Sequence, residues 1–280
     1  MPSANNLSKS SVPGANAKDA VLDHSPSTRT GHRIPERIKR LFTETFTAGD
    51  IAQPLASFDV DAPAEHVRAF MNARDFDVVG VRKDGEVVGF VENSAFSGDD
   101  CGHSLRPLAE ATVRDSTASL FAVMQCLEQR PFLFINVLGT VGGIITLADM
   151  QKPPVRMWLF GMLTLIEVRF AELIEQHCPG DSWKQFLSEA RSQKAESLLA
   201  ERKRRNQELT LLDCLQFSDK GQIVARNESI RNLTVFPSRR QAEETIKQLE
   251  QLRNNLAHSQ DILATDWDTI IRLCEFVQQQ

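Results

Sequence analysis

The residues best suited to chemistry lie near the end of the chain. The stretch Leu252-Arg253-Asn254-Asn255-Leu256-Ala257-His258 sets an arginine, an asparagine and a histidine on one helical segment. An imidazole exchanges protons near neutral pH, and a guanidinium fork matches two phosphate oxygens. Asn254 can orient either the phosphate or the imidazole. Positions five apart on a helix differ by about 140°. Ile246, Leu249, Leu252 and Leu256 define the apolar stripe of that helix, so Arg253 lies beside the stripe and His258 nearly opposite. They converge only if the helix ends near His258 or a second chain supplies partners. Read plainly, His258 is a helix-terminal histidine on last-turn carbonyls and Arg253 a snorkelling side chain. A second constellation is Gly143-Ile144-Ile145-Thr146-Leu147-Ala148-Asp149, with Lys152 and Arg156 close behind. A hydroxyl and a carboxylate three residues apart, after an apolar strand, either meet a ligand or open a helix with Thr146 as its N-cap. The run Glu201-Arg202-Lys203-Arg204-Arg205 is a third candidate. It reads as a phosphate-tracking patch or as a solvated helix end favoured by the dipole.

The elements around these residues follow from periodicity. From about residue 48 one pattern occurs twice: an Asp entry, a helix, a strand, a tight turn, a strand. The helices are AEHVRAFMNAR and TASLFAVMQCLEQR; the strand pairs are DVVGV with EVVGFV and FLFINV with VGGIIT. The turns carry Lys83-Asp84-Gly85 and Gly139, because hairpin turns need positive φ. A tandem repeat of this kind forms one pseudo-symmetric unit. After Pro153-Pro154 the period becomes helical. Helices are expected over 155–177, over 182–206, over LTLLDCLQF, after a turn at Asp219-Lys220-Gly221, from Pro237-Ser238 to His258, and over 266–278. A short basic helix is expected over 36–46. Residues 1–35, rich in Ser, Asn, Ala and Pro, are expected to be a disordered arm.

The repeat over residues 48–150 resembles a tandem pair of CBS domains, and its most specific part is the stretch from Gly143 to Asp149. The resemblance implies that Thr146 and Asp149 hold the ribose of an adenine nucleotide (AMP, ADP or ATP); the helix N-terminus with Lys152 and Arg156 nearby is expected to meet phosphate. The first repeat departs from the pattern, with Gly89-Phe90-Val91-Glu92-Asn93-Ser94-Ala95 and no Thr-x-x-Asp, so one ribose site at most is expected. The C-terminal half resembles HEPN domains through Arg253-Asn254-x-x-Ala257-His258, on a late helix of an all-helical region. That resemblance implies a metal-independent endoribonuclease leaving 2′,3′-cyclic phosphate ends. Arg253, Asn254 and His258 would be catalytic, and Arg202, Lys203, Arg204 and Arg205 would bind RNA. The reaction needs two proton transfers and one chain offers one such histidine. A symmetric homodimer through both modules answers this, and the family forms such dimers. Adenylylation of a tyrosine after the histidine, a control known in part of the HEPN group, is excluded because the chain has no Tyr.

The expected fold is therefore α+β. Its parts are an arm over 1–35, a tandem CBS (Bateman-type) module over 36–152 and an all-α HEPN-like bundle over 153–280. The expected function is RNA cleavage gated by an adenine nucleotide, in stress, toxin or antiphage defence. The alternatives are a non-catalytic nucleotide- or RNA-binding regulator and a CBS pair acting only as a dimerisation scaffold. Composition bounds the rest. The 280 residues are 41% apolar and 25% charged, with net charge −5, which excludes wholesale disorder and a global basic field. Five scattered cysteines form neither a disulfide framework nor a zinc site, so no metal is expected and a reducing cytoplasm fits. The uncharged run over 131–148 reads as two buried strands around Gly139 rather than a membrane span.

Overall fold

A computed structural model describes residues 36–258 and 260–278. The expectation of a disordered arm over 1–35 lies outside the described residues. The first repeat contains β2 (Ser57–Asp59), α2 (Ala64–Arg74), β3 (Val78–Lys83) and β4 (Glu86–Glu92). The second contains β6 (Val113–Asp115), α3 (Leu120–Gln129), β7 (Phe132–Val137) and β8 (Thr140–Thr146). Two further short strands, β1 (Gln53–Pro54) and β5 (Arg106–Pro107), are exchanged between the repeats. One sheet has the order β1-β8-β7-β6 and the other β2-β3-β4-β5.

The two repeats match in detail. β2 runs parallel to β3 and β6 parallel to β7, and each central hairpin carries a register shift at the same place, after Val81 and after Ile135. The hairpin turns use Asp84-Gly85 and Leu138-Gly139, all four at positive φ, as two-residue loops between twisted strands require. Even the loop bonds repeat: Ala48 N donates to Ala118 O and Gly49 N to Ser116 O, while Cys101 N donates to Ala62 O and Gly102 N to Val60 O. The apolar positions of α2 (Ala64, Val67, Met71) and α3 (Leu120, Val123, Met124, Leu127) recur every three or four residues and are buried. Between the sheets Phe90 meets Phe134 and Phe132, with ring centroids 5.3 and 5.9 Å apart.

α4 (Pro153–His177) leaves the second repeat with its prolines in the first turn, where a missing N–H costs nothing. It is apolar on nearly every side, because it packs against other helices along its length. Around it lie α5 (Glu189–Arg204), α6 (Phe217–Arg226), α7 (Glu228–Arg231), α8 (Arg239–Ala257) and α9 (Leu263–Gln278). α1 (Glu36–Glu44) packs on α4: the Phe42 ring fills the space left by Gly161, and Trp158 Nε1 donates to Phe42 O at 2.7 Å. One continuous apolar core runs from Leu133 and Ile145 of the second repeat through Trp158 and Phe170 to Leu252 and Phe276. The first repeat has its own core around Val67, Met71 and Val91. No helix of the described residues is long and apolar enough to cross a membrane.

Three expectations are corrected. Asp219-Lys220-Gly221 is no turn but lies inside α6, and the preceding LTLLDCLQF is mostly a loop with a short 3-10 turn. The glycine sits in the helix because α8 passes close by. A Cβ on Gly221 would lie 2.5 Å from Ile246 Cγ2. The helix expected over 182–206 is a 3-10 turn over Ser182–Phe186 followed by α5, which Ser188 starts as N-cap residue.

Candidate functional site

Thr146 and Asp149 stand where β8 ends and a 3-10 turn over Leu147–Gln151 begins. The Asp149 side chain is 2% exposed. Its Oδ2 accepts from Thr146 N at 2.7 Å and from Thr146 Oγ1 at 3.1 Å, and its Oδ1 accepts from Gln53 Nε2 at 2.9 Å. Lys152 Nζ lies 2.8 Å from the same Oδ1 and also donates to Ile51 O. Hydroxyl and carboxylate thus form a capping box. The same Thr-x-x-Asp pattern recurs at Thr47–Asp50 and Thr210–Asp213 with the same bonds, so its local role is to start a short helix. What sets Thr146 and Asp149 apart is place: both line a cleft of about 690 Å³ between the two repeats. Gln53, Val78 and Phe132 line it as well, with Arg74, Asp75, Asp77 and Glu92 among its polar groups. A ligand that donates hydrogen bonds to Asp149 must displace Gln53 or Lys152, because a carboxylate offers about four acceptor sites and all are used.

The pseudo-symmetric counterpart carries an ion pair instead. Glu92 stands at the position matching Thr146, and Arg106, at the position matching Gln53, forms an ion pair with it. The guanidinium also lies 5.0 Å from the Phe90 ring and 3.3 Å from Glu110 Oε2. The departure of the first repeat from Thr-x-x-Asp therefore coincides with an ion pair in place of the capping box.

Arg253 and Asn254 lie in the last turn of α8, half-buried and exposed respectively, and His258 is exposed as its C-cap. His258 N still donates to Asn254 O at 3.0 Å, so its Cα stays on the helical spiral. The offset of about 140° from Arg253 is retained, and one chain does not bring the two side chains onto one face. Among the described residues no hydrogen bond or ion pair engages the Arg253 guanidinium or the His258 ring.

Arg156, in the first turn of α4, is a residue whose role the spacing did not show. Its Nη2 donates to Asn255 O at 2.9 Å and Leu256 O at 3.2 Å, and its Nη1 to Gln260 O at 3.0 Å and Gln151 Oε1 at 3.2 Å. Gln151 Nε2 in turn donates to Asp261. The expectation that Arg156 faces phosphate is thus replaced: it satisfies the orphan carbonyls at the end of α8. No local pattern could have shown this, since the partners are about 100 residues apart in sequence.

The remaining candidates sit apart. Arg202, Lys203, Arg204 and Arg205 end α5 and its C-cap, with Arg205 paired to Glu201 at 2.5 Å. Arg202 and Lys203 lie near enough to Cys214 to oppose the rise that burial imposes on its thiol pKa. Glu167 points to α6, where it pairs with the 6% exposed Lys220 at 2.9 Å, and Arg169 pairs with Glu172 at 3.1 Å. Among the described residues no group of His, Cys, Asp and Glu is placed to hold a metal ion.

No family model matches the chain, and no curated protein does. Solved structures similar to it include a CBS domain-containing protein of unknown function from Bacillus anthracis, at 13% identity and TM-score 0.36, over 40% of this chain and 94% of that one. CBSX2 in complex with AMP is similar at 18% identity and TM-score 0.35, over 41% and 96%. The CBS domain of a bacterial CNNM/CorC family Mg2+ transporter in complex with ATP is similar at 14% identity and TM-score 0.35, over 43% and 93%. The chain's structural neighbours are CBS domain proteins, matched over about 40% of its length.

Proposed function

We propose that the chain is a metal-independent endoribonuclease whose activity is set by an adenosine-containing ligand bound between its two CBS-like repeats. The carrying observation is the polar connection from cleft to helix end. Asp149 lies in the cleft, Gln151 follows it on the same 3-10 turn, and Gln151 and Arg156 hold the terminus of α8 that carries Arg253, Asn254 and His258. A ligand that competes for Asp149 pulls on the capping box and so on that turn. It shifts the α8 terminus by as much as its affinities for the two arrangements differ.

In the reaction His258 takes the proton of a ribose 2′-hydroxyl, and Arg253 binds the phosphate and offsets its transition-state charge. The attack breaks the P–O5′ bond and leaves a 2′,3′-cyclic phosphate and a 5′-hydroxyl. The second proton transfer falls to His258 of a second copy, because Arg253 and His258 of one chain face apart. Arg202, Lys203, Arg204 and Arg205 would track the RNA backbone, with affinity falling as salt rises.

The test is cleavage of a labelled RNA by the full chain in EDTA, with and without adenosine or AMP, beside His258→Ala. The reading expects cyclic-phosphate ends in EDTA, a rate that responds to ligand, and a loss of at least about 100-fold in the variant. Equal cleavage by His258→Ala contradicts it. RNA binding without cleavage, unaffected by the substitution, would identify a non-catalytic regulator instead.

A further inference from the structure

The charges around the cleft narrow what it accepts. We propose that it takes an adenosine-type nucleoside and discriminates against each added phosphate; this rests on the reading of the cleft as the site of an adenosine-containing ligand. The cleft has room for a nucleoside, at about 690 Å³, with an apolar wall at Phe132 for a base. Its ionisable lining is acidic: Asp75, Asp77, Glu92 and Asp149 against Arg74 among the described residues. Arg74 is turned over the Phe70 ring, 4.0 Å from its centroid.

The cations that would answer a phosphate are engaged elsewhere. Lys152 holds Asp149 and Ile51 O, Arg156 holds the end of α8, and Arg106 holds Glu92. Asp75 and Asp77 remain as exposed carboxylates at the cleft. A ribose diol donates hydrogen bonds and so suits carboxylates, whereas a phosphate only accepts and repels them. Asp75 sits at φ 56°, the left-handed conformation that Asp and Asn tolerate, so α2 ends at the cleft on a carboxylate residue without a glycine.

Titration calorimetry of the full chain with adenosine, AMP and ATP, in EDTA at low salt, tests this. The expected order is adenosine tightest, AMP about fivefold weaker and ATP about tenfold weaker again. The gaps should narrow at ~0.5 M salt and in Asp75→Asn/Asp77→Asn, which keeps the left-handed turn. ATP binding as tightly as adenosine, or more tightly, overturns the proposal while leaving the cleft a nucleotide site; it would mean that Lys152 leaves Asp149 for the phosphates. A chain that binds none of the three overturns the reading of the cleft itself, and the proposal with it.

Discussion

Asp149 carries two demands. As a capping residue it satisfies Thr146 N and Thr146 Oγ1, and as a cleft residue it is the most buried carboxylate of the lining, the one proposed to take a ribose. Sequence spacing exposes the capping role, and only place in the fold sets Asp149 apart, since Thr47–Asp50 has the same local bonds. A similar division holds for Glu167. In the sequence it only interrupts an apolar run, whereas in the fold its carboxylate neutralises Lys220, whose side chain is 8% exposed. Removing the carboxylate strands a buried cation. Glu167→Ala should therefore cost about 3 kcal/mol in urea unfolding, and Glu167→Met/Lys220→Met should regain most of it. A single-variant loss below about 0.5 kcal/mol would show that water already screens the pair.

At the scale of elements, the repeat was legible because helix and strand periods alternate twice and Asp-Gly or Gly marks each hairpin. Leu138 shows the limit of that reading. It takes a left-handed conformation beside Gly139 although nothing in leucine favours it, and the register of the strands imposes it. The error at Asp219-Lys220-Gly221 has the opposite origin. Three turn-forming residues in a row outvoted helix periodicity locally, but the glycine serves the approach of α8 to α6. Gly221→Ala should accordingly destabilise the fold by about 1 kcal/mol, overpacking at Ile246 outweighing the gain in helix propensity. Denaturant unfolding checks this, and a stabilised variant would mean that the two helices part without cost. The exchange of β1 and β5 between sheets had no local signal, because two-residue strands carry no period.

For the whole molecule, the continuous core and the polar grip of Arg156 make the second repeat and the helices a single packed body. The Arg-Asn-x-x-Ala-His signature marked the candidate residues, but its anchoring could not be read in advance: the contacts that hold the α8 terminus come from α4 and from the turn beside the cleft. The account stands or falls on that link between cleft and terminus. Its most direct test is backbone hydrogen exchange over residues 252–258 with and without saturating adenosine, in the native chain and in Arg156→Ala. The account predicts that adenosine protects the segment around Thr146 and Asp149 in both proteins. It predicts a change in exchange at the α8 terminus in the native chain alone. Protection of the cleft with unchanged exchange at 252–258 in the native chain would contradict it.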